Sequence, residues 1–294
     1  MFDIREIYQP KNLEEALALA AQHPDAIIIA GGTDVLIKIR EGKLVYRDLL
    51  SIHGLSELQG IEQENNGDLL IGPLNNFRDL MEHQLICRNI PILAQAASTV
   101  GGPQIRIMGT LGGNLANGVT SADTASSLHA LEAELLLQSA TSQRQTTISE
   151  FHVGPGQTAR APGEILTKII IRSANYAKTG GCYIKYAMRE AMDIATLGCA
   201  IVVRPDASCR SIERLRIAFG VAAPVPQRAI ETETELTGLS IEEAVQRIAP
   251  SIRAKINPRD SWRATRDFRL HIAGVMAERA LISAWQDALE RGRS

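Results

Sequence analysis

Two glycine-containing segments, far apart in the chain, carry residue types that could bind phosphate. The first is Ile27-Ile28-Ile29-Ala30-Gly31-Gly32-Thr33-Asp34, and the second is Gly109-Thr110-Leu111-Gly112-Gly113-Asn114. Glycine permits positive φ angles and lets backbone N–H groups approach a ligand closely. One such turn is weak evidence, because a tight strand-to-helix turn that binds nothing uses the same residues. Two of them, each with a threonine and a nearby aspartate, predict a long anionic ligand that is held at both ends.

Neither segment matches the common nucleotide-binding fingerprints. No Gly-Lys-Ser/Thr follows the first glycine pair, so it is not a P-loop, and the glycine spacing differs from GxGxxG. Asp123 lies shortly after the second segment and could bind ribose or ribityl hydroxyls, as acidic residues do in other dinucleotide sites. It could equally cap the helix that follows it. The sequence leaves both roles open.

Composition narrows the possible function classes. With 294 residues, of which 45% are hydrophobic and 22% charged, the chain suits two or three small domains. A net charge of −2 gives no bulk attraction to nucleic acid or to an anionic membrane. The N-terminal residues have neither a basic start nor an apolar run, and no stretch approaches the roughly 20 apolar residues of a membrane span. We therefore expect a cytoplasmic protein that binds neither nucleic acid nor membranes.

The cysteines and histidines predict no metal site. The four cysteines include no CxxC pair, and the six histidines form no HExxH or HxH group. If the chain handles electrons, we expect it to do so through an organic cofactor. No residue is nominated as a catalytic acid or base.

Hydrophobic periodicity indicates which elements position the first segment. Asn12, with Glu15 three residues on, predicts a capped helix that ends near Pro24, where proline prevents continuation. The apolar, β-branched run at 27–30 predicts a buried strand that ends at the first glycine pair, where α/β folds tend to place ligands. Further strands are predicted at 49–52, 69–71, 131–137 and 165–171, and helices at 80–85 and 91–100.

The last third of the chain has a different organisation. A polar, glycine-bearing stretch at 173–181 predicts a domain boundary, which we place between residues 176 and 177. Residues 195–203 and 215–219 predict an antiparallel pair, and Ser240 predicts the start of a helix that runs to about Ile248. A long amphipathic helix is predicted from about Trp262. Four arginines near this helix recur at helical spacing: Arg259, Arg263, Arg266 and Arg269. They indicate either a salt-bridged or solvated face or a contact with a partner subunit.

A third segment is Lys185-Tyr186-Ala187-Met188-Arg189-Glu190-Ala191-Met192-Asp193-Ile194, which mixes charge with bulky apolar residues. Together with the two glycine segments, Asp123 and the stretch at 261–265, it resembles the FAD-binding subunits of the molybdenum hydroxylases. That family includes xanthine dehydrogenase and carbon monoxide dehydrogenase. The resemblance covers the whole chain, and the third segment is most similar to the bacterial xanthine dehydrogenase branch.

The resemblance implies a fold and a function. The fold would be α+β, with a two-part FAD-binding domain of the vanillyl-alcohol-oxidase/PCMH type at 1–176. A smaller α/β domain, like the C-terminal domain of the carbon monoxide dehydrogenase flavoprotein, would follow at 177–294. FAD would be bound by this chain, and [2Fe–2S] clusters and molybdopterin would lie on two partner subunits of a heterotrimer. Electrons from purine (hypoxanthine or xanthine) hydroxylation would leave through FAD to NAD⁺ or another acceptor.

The resemblance also assigns residues to the cofactor. Asp123 would bind a polyol hydroxyl, Ile165 would pack against the flavin, Lys185 would approach the ring, and Ile194 would cover a ring face. The pyrophosphate and the nearby ribityl and adenosine parts would be held by Ile27, Ile28, Ile29, Ala30, Gly31, Gly32, Thr33, Asp34, Gly109, Thr110, Leu111, Gly112, Gly113 and Asn114.

Several alternatives stay open. Met192 stands before Asp193 where the animal enzymes have an acidic residue, so the acceptor could be NAD⁺ or dioxygen. A related molybdenum hydroxylase with another aromatic or aldehyde substrate is one alternative. A free-standing flavin oxidoreductase is another, but it would need a positioned acid or base, for which the sequence offers no convincing candidate. A scaffold with purely structural glycine turns is the third.

Overall fold

The computed structural model describes residues 3–292, so the first two residues and the last two lie outside it. The strands are β1 (Ile4–Tyr8), β2 (Ile27–Ile29), β3 (Arg47–Ser51), β4 (Ile61–Gln63), β5 (Leu69–Ile71), β6 (Glu134–Gln138), β7 (Gln143–Thr147), β8 (His152–Gly154), β9 (Gln157–Thr158), β10 (Ile165–Ile171), β11 (Gly180–Tyr186), β12 (Leu197–Pro205), β13 (Ile212–Gly220) and β14 (Gln227–Arg228). The helices are α1 (Leu13–Gln22), α2 (Val35–Arg40), α3 (Phe77–Glu82), α4 (Gln84–Asn89), α5 (Pro91–Ser98), α6 (Pro103–Met108), α7 (Leu111–Ala116), α8 (Asp123–Ala130), α9 (Ile148–Phe151), α10 (Ser173–Tyr176), α11 (Ile230–Leu236), α12 (Ile241–Lys255) and α13 (Arg266–Arg291).

The N-terminal part forms a three-stranded parallel sheet in the order β1-β3-β2. The predicted helix before it is confirmed, because the Asn12 side chain accepts a 2.8 Å hydrogen bond from the Glu15 N–H at the start of α1. The predicted strand at 27–30 is confirmed as β2, which pairs with β3. The first glycine pair therefore follows the carboxyl end of a parallel strand, as expected from the sequence.

The middle part is built on a five-stranded antiparallel sheet in the order β4-β5-β10-β6-β7. The predicted strands at 69–71 and 165–171 are confirmed as β5 and β10. The strand predicted from 131 begins only at Glu134, because Glu132 has a φ of 50° and lies in the turn after α8. The helix predicted at 80–85 is two short helices, α3 and α4.

A four-stranded antiparallel sheet, in the order β11-β12-β13-β14, lies between two hydrophobic cores. Neighbouring residues of β12 point to opposite faces: Ala200 joins the core that contains α5 and α8, and Cys199 joins the core that contains α12 and α13. The predicted antiparallel pair is confirmed as β12 and β13. One face of this sheet packs into the first core, so that core contains residues from both parts of the chain. The boundary between 176 and 177 stays a prediction.

The C-terminal helices differ from the sequence expectation at their ends. The capping box at Ser240 is confirmed, but α12 continues through Pro250 to Lys255 and packs against α13. The final helix begins at Arg266 rather than near Trp262, because Thr265 caps it through the Phe268 N–H. Arg259 and Arg263 therefore precede the helix, and the predicted single arginine face is wrong. Arg269 is also only 2% exposed.

An ion-pair network joins the two parts of the chain. Glu132, after α8, forms salt bridges with Arg216 of β13 (2.5 Å) and with Arg228 of β14. Arg216 also donates to the Asn175 carbonyl oxygen and side chain at 3.1 and 2.9 Å. Burial lowers the pKa of Arg216 to about 10, opposed mainly by the charge of Glu132. The Glu132 carboxylate is thus the shared counter-charge for two arginines of the second part.

We expect Glu132→Gln to lower the free energy of unfolding by about 1–3 kcal/mol, because the buried Arg216 charge loses its carboxylate. The half-exposed position of Glu132 keeps the loss below that of a fully buried pair. Urea unfolding of the full chain measures the effect. Glu62→Gln, at an exposed position of β4, is the matched control and should change little. Equal stability of the two variants would contradict the structural role of this network.

Candidate functional site

The first glycine segment makes a sharp turn between β2 and α2. Gly32 has a φ of +71°, a backbone angle that residues other than glycine rarely adopt. Gly31 is held by a different constraint: a Cβ atom on it would lie 1.6 Å from the Met108 carbonyl oxygen. Met108 ends α6 and directly precedes the second glycine segment. Glycine at position 31 therefore allows the two segments to contact each other through backbone atoms.

The first segment also carries free backbone donors. Among residues 3–292, no protein acceptor receives the N–H groups of Gly31, Gly32, Thr33 and Asp34. Gly31, Gly32 and Thr33 are half-buried and Asp34 is exposed. Backbone N–H groups that are shielded from water are nearly always hydrogen-bonded in folded proteins. Four successive unpaired N–H groups beside a cleft are consequently suited to an anionic ligand.

The second glycine segment differs from the sequence prediction. It is not an N–H-rich turn but the short helix α7, capped by the Thr110 hydroxyl through the Gly113 N–H at 3.1 Å. The N–H groups of Leu111 and Gly112 donate to the carbonyl oxygens of Asn75 and Pro73, at 2.9 and 2.8 Å. The N–H groups at the start of α7 therefore already have acceptors within the protein, whereas those of the first segment do not.

Close packing explains the glycines of the second segment. A Cβ on Gly109 would lie 2.7 Å from the Phe77 ring, and one on Gly112 would lie 2.4 Å from the Pro73 side chain. These glycines bring α7 against the segment before α3. The second segment thus provides a wall of the site, with the Asn114 carboxamide beside it.

A cleft of about 520 Å³ lies between the two segments. This volume is within the range of about 300–1,000 Å³ typical of small-molecule and cofactor sites. Ile29 and Leu111 do not line it and belong to the hydrophobic cores instead. The predicted residues that do line it are Ile27, Ile28, Ala30, Gly31, Gly32, Thr33, Asp34, Gly109, Thr110, Gly112, Gly113, Asn114 and Ile165.

Sequence reasoning missed the basic residues of this cleft, which are Lys38, Arg47 and Arg160. The Lys38 ammonium donates a 2.6 Å hydrogen bond to the Asn117 side chain, which connects α2 to the end of α7. The sequence could have indicated Lys38, because it lies four residues after the predicted site residue Asp34 and residues at that spacing are neighbours on a helix. Arg160 had no local signal, because it lies in an irregular segment far along the chain.

Asp123 and Lys185 form a buried ion pair outside this cleft. The Lys185 ammonium lies 2.9 Å from the Asp123 carboxylate, with side-chain exposures of 9% and 8%. Tyr183 donates its hydroxyl to the other Asp123 oxygen at 2.8 Å, and Lys185 also donates to the Thr99 carbonyl oxygen at 2.9 Å. The helix-cap role considered for Asp123 is wrong, because Ala122 is the N-cap of α8 and no side chain caps it.

Burial shifts the pKa values of this cluster. It raises the pKa of the Asp123 carboxyl, and the positive charge of Lys185 and the hydroxyl of Tyr183 oppose that rise. Burial and the neighbouring carboxylate also raise the pKa of Tyr183, so this group remains a hydrogen-bond donor. Val100, the residue after Thr99, lines the cleft. Lys185 therefore contacts Thr99, whose next neighbour in the chain lines the cleft.

The segment 187–194 is a loop organised by Asp193. Its carboxylate accepts hydrogen bonds from the N–H groups of Met188, Arg189 and Ile194 at 2.9, 3.0 and 2.9 Å. These bonds outweigh desolvation and lower the pKa of Asp193. Ile194 is 49% exposed and lines a second, smaller pocket rather than the cleft.

The structure also brings together two histidines that look scattered in the sequence. The ring nitrogens of His129 and His152 lie 3.3 Å apart, and His152 contacts the Leu115 carbonyl oxygen of α7 at 3.2 Å. Burial lowers the pKa of His129 to about 3, so both rings pack as neutral groups. Within residues 3–292 no three potential metal ligands converge on one point, and no helix is long and apolar enough to cross a membrane.

Comparison with known proteins places these features in a family. The sequence model described as the FAD binding domain in molybdopterin dehydrogenase matches residues 2–172, and that of the CO dehydrogenase flavoprotein C-terminal domain matches residues 182–284. The chain is 39% identical over 285 residues to a xanthine dehydrogenase FAD-binding subunit of Escherichia coli O157:H7, covering 97% of each chain.

Solved structures give the same result. A chain of carbon monoxide dehydrogenase from Hydrogenophaga pseudoflava superposes with a TM-score of 0.91 and 31% identity, covering 98% of this chain and 99% of that one. A chain of quinoline 2-oxidoreductase from Pseudomonas putida 86 gives 0.90 and 26%, with the same coverage. These matches confirm the predicted α+β fold, an FAD-binding domain followed by a flavoprotein C-terminal domain.

Proposed function

Because the chain belongs to the FAD-binding subunits of the molybdenum hydroxylases, we propose that it is the electron-output subunit of a xanthine dehydrogenase-type complex. The observation that carries the proposal is the row of four unpaired N–H groups at 31–34 beside the cleft. In this proposal they bind the FAD pyrophosphate, which supplies the missing acceptors.

The remaining walls of the cleft fit the same cofactor. Lys38 and Arg160 bring positive charge to a site that would hold two phosphates. Thr110 and Asn114 offer polar side chains from the α7 side, and Ile165 offers an apolar surface from β10 for the flavin end. We propose that the cofactor-binding domain spans residues 1–176, followed by the smaller domain at 177–294.

FAD, when bound, can accept electrons singly and release them in pairs. The chain's own contribution is to bind and orient the cofactor, and none of its side chains is needed as an acid or base. We propose that iron–sulfur and molybdopterin-binding subunits are its partners in a heterotrimer. Xanthine or hypoxanthine is the proposed substrate and NAD⁺ the proposed acceptor, in the cytoplasm. The similarity to a xanthine dehydrogenase subunit supports the substrate.

Copurification tests this proposal most directly. The full chain is expressed together with its neighbouring subunits, and the purified complex is assayed for flavin, iron and molybdenum. We expect flavin with this chain, both metals with its partners, and xanthine-dependent reduction of NAD⁺. A complex that is active with quinoline or an aldehyde but not with purines would contradict the substrate. A chain that stays free of flavin after reconstitution would contradict the cofactor role.

A further inference from the structure

The C-terminal end of α7 forms part of the cleft wall. Asn114, Ala116 and Asn117 line the cleft, whereas the Leu115 side chain is fully buried in the core that contains α5 and α8. The Leu115 carbonyl oxygen belongs to the last turn of this short helix, where carbonyl groups lack helical partners. A contact at this oxygen therefore acts on the backbone that carries the cleft-lining residues.

A chain of hydrogen bonds reaches this carbonyl group through two buried histidine rings. The Nε2 atom of His152 lies 3.2 Å from the Leu115 carbonyl oxygen, and its Nδ1 atom lies 3.3 Å from Nε2 of His129. The Nδ1 atom of His129 lies 3.4 Å from the Ser149 hydroxyl oxygen. His129 and His152 are only 2% and 3% exposed. The chain thus connects α9, α8 and β8 to the end of α7.

Both rings are neutral in this arrangement. Burial above all, and then the neighbouring ring and the positive charge of Arg228, lower the pKa of His129 to about 3. Burial lowers the pKa of His152 as well, opposed by its hydrogen bond to α7. Arg228 itself forms salt bridges with Glu132 and Glu233. We therefore expect no charge on either ring between about pH 5 and 8, the range in which a histidine in water titrates.

The partners in this chain determine where its hydrogens lie. A carbonyl oxygen can only accept, so His152 carries its hydrogen on Nε2 and donates it to Leu115. The Nδ1 atom of the neutral ring then has no hydrogen and accepts from the Nε2–H group of His129. The Nδ1 atom of His129 in turn accepts from the Ser149 hydroxyl. Each ring donates one hydrogen bond and accepts one, so a single arrangement of hydrogens satisfies both.

Other contacts hold the same end of α7. The Gly156 N–H donates to the Gly118 carbonyl oxygen at 2.9 Å, and the Lys38 ammonium donates to the Asn117 side chain at 2.6 Å. The Leu115 carbonyl oxygen also accepts the Gly118 N–H at 3.0 Å. Because these contacts remain when the histidine chain is broken, its loss should shift this wall of the cleft rather than unfold it.

We propose that His129 and His152 are positioning residues of the cofactor site, which hold the end of α7 where FAD requires it. Neither ring lines the cleft, so both act on the cofactor through the α7 backbone. Apolar side chains would fill the same space without the cost of burying polar groups, whereas a fully paired polar network fixes one arrangement of its surroundings. The inference rests on the proposed function, in which this cleft binds FAD.

The affinity of the flavin-free full chain for FAD, measured by fluorescence titration, tests the inference. His152→Phe should weaken FAD binding about tenfold, because a ring of similar shape removes both hydrogen bonds and leaves the His129 Nε2–H group unpaired. His152→Gln should stay within about twofold of the original chain, because a carboxamide supplies one donor and one acceptor. His271→Phe, at an exposed position of α13, is the matched control and should bind FAD as the original chain does.

Urea unfolding of the same flavin-free variants separates positioning from stability alone. If His152→Phe loses stability but keeps its FAD affinity, the role is structural and the inference is wrong. Equal loss of affinity in His152→Phe and His152→Gln would also overturn it, because the hydrogen bonds would then not matter. If His152→Phe does not fold, His129→Phe takes its place. This variant should weaken FAD binding about fourfold, since His152 keeps its bond to Leu115, and an unchanged affinity would overturn the inference.

A nitrogen NMR spectrum of the histidine-labelled chain reads the hydrogen positions directly. We expect a protonated Nε2 and a bare Nδ1 on both rings, unchanged between about pH 5 and 8. The spectra of His129→Phe and His152→Gln assign the two rings. A hydrogen on Nδ1, or a charge on either ring within this range, would contradict the proposed chain.

Gly31→Ala, measured in the same FAD titration, separates this inference from the proposed function. If this variant binds FAD as the original chain does, the cleft is not the FAD site and both proposals fail. If it weakens FAD binding while His152→Phe does not, the proposed function stands and only the positioning role is wrong. Weaker binding in both variants, with recovery in His152→Gln, is the result that we expect.

Discussion

Gly31→Ala should weaken the binding of FAD by the full chain at least about 100-fold. The added Cβ would lie 1.6 Å from the Met108 carbonyl oxygen, so one of the two backbone segments must move. That movement would separate the free N–H groups of 31–34 from the wall formed by α7. The flavin absorbance of the purified chain, before and after reconstitution with FAD, measures the loss.

Two other glycines provide comparisons. Gly42→Ala is the matched control, because Gly42 lies just after α2, has the same φ of +71° as Gly32 and has nothing within 4 Å of its Cβ position. It should keep its flavin. Gly32→Ala should be intermediate, since its nearest neighbour is the flexible Leu36 side chain at 3.1 Å. Full flavin content in Gly31→Ala, with an unchanged unfolding curve, would remove the cleft as the FAD site.

Lys185→Met should lower the free energy of unfolding by about 3–5 kcal/mol, because it leaves the buried Asp123 carboxylate without its counter-charge. The side chain of Lys185 is only 9% exposed, so water cannot replace the ammonium. Tyr183 would still donate one hydrogen bond, which neutralises no charge. Urea unfolding of the full chain measures the difference.

The double variant Asp123→Asn/Lys185→Met should recover most of the lost stability, because it removes both charges together. Lys11→Met, at an exposed position before α1, is the matched control and should be nearly neutral. A single variant as stable as the double variant would show that the pair does not stabilise the fold. Slower acceptor reduction without a change in stability would instead place Lys185 at the flavin ring.

The stability loss of Lys185→Met should also depend on pH. Without the lysine, desolvation alone acts on Asp123, so the pKa of this carboxyl in the folded chain rises further above its unfolded value. A folded-state pKa that is raised for an acid favours folding at low pH and loses that contribution as the pH rises through it. The deficit should therefore be largest near neutral pH and should shrink as the pH falls. A deficit that is constant with pH would contradict a buried carboxylate as its cause.

Local features of the sequence correctly predicted several elements. The cap at Asn12, the capping box at Ser240 and the pairing of β12 with β13 all follow from neighbouring residues or from short periodic patterns. The same reasoning was wrong where contacts between distant residues decide the outcome. α12 continues through Pro250, at which the missing N–H removes one helical bond but leaves the packing against α13 intact.

By itself, the sequence determined the family, the α+β fold and the two glycine segments that border the cleft. These features depend on residue types and on the spacing between residues that are close in the sequence. Only the tertiary structure decided which of the two segments has free N–H groups. The first N–H groups of α7 donate to the carbonyl oxygens of Pro73 and Asn75, which lie far from α7 in the sequence. It likewise decided that Asp123 pairs with Lys185 and that Arg263 and Thr120 line one pocket, since both arrangements join residues far apart in the chain. Hydrogen-bond satisfaction and burial are properties of three-dimensional neighbours, which sequence spacing alone does not contain.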